Sequence, residues 1–211
     1  MKKRLRVLVV FVLFSASLFA QSGNNRMASV GLSMSPFDKT EALFTPYYIN
    51  GRFFFSDFAA RLSIGTSMLI SSDQEDDASS VKNTAQLDLR PGIEYHIGAS
   101  QQAIPFIGID LVYAMRNNNM NSAVGAPISG AWSITDFEGN RGYYALGFNL
   151  VGGGDYFISG GSFFVGTEIG LEFLSYKYSE IKWNDQVVIP SSKKNQFRLS
   201  LNSAIRLGVA F

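Results

Sequence analysis

The 211-residue chain contains no cysteine and a single histidine, His96. Without cysteine it forms no disulfide framework, has no lipoprotein attachment site and offers no thiol nucleophile. One histidine cannot build a multi-histidine metal centre, and any Ser-His-acid triad would have to use His96. These absences remove most common catalytic and metal-binding classes.

Long apolar runs and a charge excess are also lacking. No segment after the N-terminal stretch approaches 18 consecutive apolar residues, which excludes a helical membrane span in the mature chain. The formal net charge is +1, so no basic face points to nucleic acid. We therefore expect that the mature chain does not bind nucleic acid and is not anchored in a bilayer by a helix.

The N-terminus has the pattern of a secretory signal peptide. An apolar stretch of about eight residues, 7–14, follows four basic residues, and small residues follow it. The basic residues are Lys2, Lys3, Arg4 and Arg6. The pattern predicts a signal peptide over 1–20, cut after Ala20, and one mature domain over 21–211. A retained anchor helix is the alternative, disfavoured because the run is too short to cross a bilayer.

Glycine and aromatic residues are abundant, with 20 glycines and 14% aromatics, which favours many short, tightly packed strands. Eight segments alternate strictly between apolar side chains on one parity and small or polar ones on the other, as strands with two unlike faces do. These segments are 28–34, 47–55, 58–68, 85–95, 105–113, 144–150, 163–173 and 196–211.

The connections alternate between short and long. Short turns fall at 56–57, 97–102 and around 159–161, and long polar linkers at 35–44, 70–83, 116–142 and 175–195. This asymmetry is typical of an outer-membrane barrel with periplasmic turns and extracellular loops. The sequence thus predicts an all-β fold, an eight-stranded antiparallel up-and-down transmembrane β-barrel.

The composition of the two parities predicts which face is outside. The polar parity holds Gly, Ala, Ser, Asn and single charges and almost lacks Lys, unlike the solvated face of a soluble barrel. The apolar parity carries no charge in any predicted strand, as expected of a lipid-facing surface. Its aromatics gather at strand ends, as interfacial girdles do. They are Phe53, Phe55, Phe58, Tyr95, Phe163 and Phe211 at the periplasmic rim, and Tyr47, Tyr113, Tyr144, Phe173 and Phe197 at the outer rim.

Taken together, the signal "KKRLRVLVVFVLFSASLFA", the eight alternating segments and the terminal "IRLGVAF" resemble the small outer-membrane β-barrels of OmpA/OmpX type over the whole mature chain. The resemblance implies a location in the outer membrane of a Gram-negative bacterium, in contact with membrane lipid and lipopolysaccharide. It also implies that the final Phe211 belongs to the signal recognised by the barrel-assembly machinery. Deleting Phe211 is expected to impair insertion.

By parity, ten charged side chains point into the barrel, and their equal numbers of positive and negative charges predict pairing. They are Arg52, Arg61, Arg90, Arg198, Arg206, Asp88, Glu94, Asp110, Glu168 and Glu172. Strand directions predict the pairs Glu172–Arg198, Arg90–Asp110 and Arg61–Glu94. Side chains can fill an eight-stranded interior, so we expect a structural plug. A narrow polar pore is the alternative.

Function is less constrained. We expect a monomeric, non-enzymatic protein without cofactor, with a structural or surface-interaction role and a possible partner site on loops 116–142 and 175–195. Trp132, Ile134 and Trp183 either contact that partner or pack onto the barrel mouth. A lateral-opening channel for small apolar molecules is the alternative function.

Two further possibilities are weaker. A lipid-modifying enzyme ranks third, because the enzymes of the family place a His on the outer-leaflet side whereas His96 falls at the opposite end. The acidic segment "SSDQEDDASS" suggests a solvated loop tip rather than a Ca²⁺ site, since it lacks the glycine of an EF-hand loop. Its carboxylates belong to Asp73, Glu75, Asp76 and Asp77.

Overall fold

A computed structural model describes residues 26–34, 46–75, 78–98, 102–122, 125–158, 162–200 and 205–211. The predicted signal peptide and the carboxylates of the acidic segment lie outside the described residues and side chains. Within these ranges, no helix is long and apolar enough to cross a membrane.

The described residues form twelve strands and one short 3-10 helix, Glu138–Asn140. The strands are β1 (Ala28–Met34), β2 (Pro46–Phe55), β3 (Phe58–Glu75), β4 (Ala78–His96), β5 (Ala103–Ser122), β6 (Ile128–Ser129), β7 (Tyr143–Ile158), β8 (Phe163–Tyr178), β9 (Ile181–Trp183), β10 (Gln186–Ile189), β11 (Ser192–Ser200) and β12 (Ile205–Ala210). Strands β1–β5, β7 and β8 form the barrel with an eighth strand composed of β11 and β12, both of which pair with β8. The predicted eight-stranded antiparallel barrel is confirmed.

The barrel closes between its first and last strands. β1 pairs with β2 on one side and with β12 on the other, placing Val30 opposite Val209 and Leu32 opposite Leu207. The final residue belongs to this seam. The backbone N–H groups of Met27 and Ala28 donate to the Phe211 carbonyl at 2.8 and 2.9 Å. Closure removes the exposed strand edges that an open sheet would leave.

Several strands run beyond their predicted ends, most of them toward the loop end, whereas β7 extends toward the turn end. β3 and β4 stay paired from Phe58–Tyr95 to Glu75–Ala78, so the predicted 70–83 loop is largely a two-stranded extension of the wall. Loops 116–142 and 175–195 likewise contribute paired strands, because β6 lies between β5 and β9 and β9 pairs with β10. Backbone pairing continues beyond the residues that alternate between apolar and polar. The alternation therefore predicted only the apolar part of the barrel wall.

Side chains alternate between the lumen and the outer surface. On β5, Phe106, Asp110 and Val112 are buried, whereas Ile107 and Leu111 on the other parity are exposed. The same holds around the barrel, where the predicted rim residues Phe53, Phe58 and Tyr95 are among the exposed large apolar side chains. Along the apolar part of the wall, the charged side chains therefore face the lumen and the large apolar side chains of the other parity are exposed.

Candidate functional site

The lumen is filled in layers, beginning at the turn end with an aromatic floor formed by the buried rings of Phe106, Phe157 and Phe164. The rings of Phe157 and Phe164 are 5.6 Å apart. His96 lies in this floor with Nε2 3.3 Å from a carboxylate oxygen of Glu94. The floor separates the charges above it from the turn end of the barrel.

Above the floor lies a lower ion cluster centred on Arg61. This guanidinium contacts three carboxylates from three strands: Glu94 at 2.7 Å, Glu168 at 2.9 Å and Asp110 at 3.0 Å. All four side chains are at most 5% exposed. Since β3, β4, β5 and β8 each supply one of them, the contacts cross-link both walls of the barrel.

Two further arginines complete the lower ion cluster. Arg206 lies 2.8 Å from Asp155, 2.9 Å from Glu168 and 3.2 Å from Glu94. Arg52 pairs with Asp155 and Glu94 and donates to Ser29 Oγ at 3.0 Å. Every carboxylate of this cluster therefore faces at least one guanidinium, as buried charges require.

An upper ion cluster lies nearer the loop end. Arg90 contacts Asp88 and Glu172, each at 2.9 Å, and Arg198 reaches Glu172 at 2.6 Å. The Tyr48 hydroxyl donates to Asp88 at 2.8 Å. Arg198 differs from the other lumen arginines because 40% of its side chain is exposed.

Of the three predicted pairs, two form. Arg61 pairs with Glu94 and Arg198 with Glu172. The third prediction is wrong, because Arg90 pairs with Asp88 and Glu172 while Asp110 pairs with Arg61. Parity placed these side chains in the lumen correctly. The prediction considered only pairs on neighbouring strands, whereas the long arginine side chains reach across the lumen to strands that are not neighbours.

Sequence reasoning missed Asp155, a central carboxylate of the lower ion cluster that is 4% exposed. The alternating segment predicted in this part of the chain, 144–150, ends before Asp155, and three consecutive glycines, 152–154, separate the two. Strand β7 continues to Ile158. Extending the parity from Asn149 through this glycine run would have placed Asp155 inside.

Beside and above the upper ion cluster the lumen contains a buried apolar cluster, whereas the sequence predicts small and polar residues and single charges on the inward parity. Val112, Ala114, Ala145, Leu174, Tyr176 and Tyr178 form a buried cluster on the β5–β7–β8 wall. Tyr143 packs against it, with its ring 5.2 Å from that of Tyr176. This upper apolar cluster faces the mouth of the barrel.

The two long loops fold over the mouth. Arg141, 2% exposed, donates to the carbonyls of Ser179 and Pro190 at 2.6 and 2.7 Å and pairs with Asp136 at 2.9 Å. The Trp132 indole N–H donates to the carbonyl of Asn83 on β4 at 3.4 Å. Together these contacts tie the two loops to the barrel strands.

The outer parts of the same loops reach solvent. Ile134, Phe137 and Trp183 expose half or more of their surface. Lys194 donates to both carboxylate oxygens of Glu138 at 2.8 Å, and this hydrogen bonding raises the pKa of the Lys194 ammonium. The loop end thus combines a fixed inner layer with exposed apolar and charged side chains.

The layers can hold the walls together and obstruct passage. Nine of the ten predicted lumen charges are buried, and each sits within an ion cluster. In the described ranges, no group of three or more His, Asp or Glu side chains is arranged to hold a metal ion. The geometry offers ion-pair cross-links between the strands.

Comparison with known proteins gave no match: no protein-family model, no curated protein and no solved structure is significantly similar to this chain.

Proposed function

We propose that this protein is an integral outer-membrane β-barrel whose lumen is plugged by its ion clusters and which has a structural or surface-interaction role. The observation that carries the proposal is the inverted distribution of polarity. Glu94, Asp110 and Glu172 are completely buried, while apolar side chains such as Leu111 and Phe197 expose two thirds of their surface.

The energetics of that distribution favour a bilayer as the surrounding solvent. Soluble monomers rarely expose contiguous apolar patches beyond a few hundred Å², whereas here the apolar surface encircles the barrel. Burial of unpaired charges is costly, and the ion clusters avoid this cost by pairing. A closed barrel in lipid also satisfies every backbone hydrogen bond between its strands.

The orientation follows from the unequal ends. The turn end carries the start of β1, the end of β12 and tight connections such as Ser56-Asp57, so we place it in the periplasm. The loop end carries the β6–β9–β10 extension and faces outward. Its exposed residues, including Trp183 and Phe137, form the surface that we assign to an extracellular partner.

Three measurements test this proposal. We expect the protein to fractionate with outer membranes and to migrate differently on gels before and after boiling. We expect no stable unitary conductance of porin size in planar bilayers, because the aromatic floor and both ion clusters block the axis. Such a conductance would contradict the plug, and a soluble protein whose migration is unaffected by heat would contradict the membrane barrel.

The proposal includes the absence of enzymatic activity. His96 lies in the aromatic floor beside Glu94, away from the loop end where an outer-leaflet lipid substrate would be reached. We expect His96→Ala to leave lipid A composition unchanged in cells. A changed acylation pattern would restore the enzyme alternative.

A lateral route for small apolar molecules is a second candidate, favoured by the upper apolar cluster. The ion clusters below it block straight passage, so a ligand bound there would have to leave through the wall. Titration with a small apolar fluorescent probe tests this function. Saturable binding that Leu174→Gln abolishes would support it, and non-saturable binding shared by both proteins would remove it.

A further inference from the structure

Two lysines depart from the uncharged character of the outer surface. Among the described residues on the outward parity of the barrel strands, Lys177 on β8 and Lys193 on β11 are the charged ones. They are also direct neighbours, because the register of β11 with β8 places Lys193 opposite Lys177. The exterior thus concentrates its charge at one spot.

This spot lies at the loop-end border of the apolar surface. Phe148, Phe173 and Phe197 form one outward row across β7, β8 and β11. Lys177 is four residues beyond Phe173, about 13 Å along the strand at the usual rise per residue. In the proposed orientation this is the depth of outer-leaflet headgroups.

Tyr144 completes the group. It stands opposite Lys177 in the register of β7 with β8, and the Lys177 Nζ lies 5.5 Å from the centre of its ring. The ring is partly exposed on the outer face. A tyrosine that supports a lysine at this depth is typical of a membrane interface.

The two positive charges lack an internal counter-charge. Like charges directly opposite on neighbouring strands destabilise a sheet, and in the described part of the chain neither lysine has a carboxylate within 4.0 Å. Two other lysines at the loop end differ, since Lys182 pairs with Glu180 and Lys194 with Glu138, each at 2.8 Å. The unneutralised pair is the one that faces the membrane.

We propose that Lys177 and Lys193, supported by Tyr144, bind a phosphate group of an outer-leaflet lipid. A phosphate oxyanion between two ammonium groups removes their repulsion and forms charge-assisted hydrogen bonds. The inference rests on the proposed membrane location and orientation, and it identifies a lipid partner and the residues that hold it.

The experiment measures the affinity of the full mature barrel in detergent for lipid A by native mass spectrometry. Phosphate-free lipid A and inorganic phosphate serve as separate probes. The double variant Lys177→Gln/Lys193→Gln is compared with Lys182→Gln/Lys194→Gln, which loses the same charge at the same end. We expect the first variant to lose about fivefold in lipid A affinity for each lysine, since one basic residue near an anionic surface contributes about 1 kcal/mol.

The control variant and the phosphate-free lipid define the remaining outcomes. We expect Lys182→Gln/Lys194→Gln to bind lipid A like the wild type, and phosphate-free lipid A to bind the wild type and the first variant equally. Equal lipid A affinity in the wild type and the first variant would overturn the proposal. Equal losses in both variants, or complete displacement of the lipid by millimolar inorganic phosphate, would overturn it too.

Heat-modifiable migration of each protein separates this failure from that of the proposed function. A wild-type protein that does not form a heat-modifiable barrel in lipid would refute the proposed function. A wild-type protein that inserts normally but shows no preference for phosphorylated lipid would refute the phosphate site alone.

Discussion

Replacing Arg61 by methionine gives the strongest test of the lower ion cluster. The substitution keeps an unbranched side chain but removes the guanidinium that contacts Glu94, Asp110 and Glu168. Glu94 and Glu168 retain Arg206, whereas Asp110, which is completely buried, loses its ion-pair partner. The variant therefore leaves one carboxylate buried and unpaired.

The expected loss follows from that geometry. Removing one partner of a buried ion pair costs about 3–5 kcal/mol, because the remaining charge stays desolvated without compensation. We therefore expect Arg61→Met to lower the free energy of unfolding by about 3–5 kcal/mol. Adding Asp110→Asn removes the orphaned charge and should recover about 1–3 kcal/mol of that loss.

Arg198→Met is the matched control. Its guanidinium is 40% exposed, and its partner Glu172 also contacts Arg90. A partly exposed pair contributes less than about 1 kcal/mol, so this variant should remain close to the wild type.

Urea-induced unfolding of barrels refolded in lipid vesicles, followed by the gel migration of the folded form, measures all four proteins. A free energy of unfolding of Arg61→Met within about 1 kcal/mol of the wild-type value would contradict the expected cost of the unpaired Asp110. Equal losses in Arg61→Met and Arg198→Met would also refute it, since burial would then not govern the cost.

Further variants test three separate features. Gly92→Ala should lower the free energy of unfolding by about 1–3 kcal/mol, because a Cβ there would collide with the Asp110 carboxylate. Gly152→Ala is its control, because a Cβ at that position meets open space. We expect this control to unfold like the wild type in the same urea titration. Arg141→Lys should loosen the loops over the mouth, which limited proteolysis of intact cells would report as faster cleavage between 125 and 142; unchanged cleavage would show that the loops hold without the guanidinium. Deleting Phe211 removes the carbonyl that accepts from Met27 and Ala28, and we expect less folded protein in the membrane fraction, with normal levels contradicting its role in closure and insertion.

Features that depend on local geometry alone, such as the two faces of each strand, were predictable from the sequence. Successive side chains of a strand point to opposite sides, so alternation was enough to place Arg52, Glu94 and Glu168 inside before any strand was paired. The alternation did not reveal the inward position of Asp155, because the preceding glycines carry no side chains to continue the pattern. Strand β7 itself continues through them.

Contacts across the lumen could not be predicted from the alternation of side chains along single strands. Arg206 and Glu94 are 112 positions apart yet meet through a hydrogen bond, and the long guanidinium side chains reach beyond neighbouring strands. The upper apolar cluster and the covering of the mouth by Arg141 likewise depend on how separate loops meet in space. None of these features has a periodic signal.

The sequence by itself determined the strand faces, the number of barrel strands and the unequal ends, because a period of two and the lengths of connections are local properties. Only the tertiary structure decided which charges pair, that Arg90 takes Asp88 and Glu172 rather than Asp110, and that Lys177 lies beside Lys193. The physical reason is that pairing depends on strand register and on the distance across a closed lumen, and both exist only once the barrel has closed.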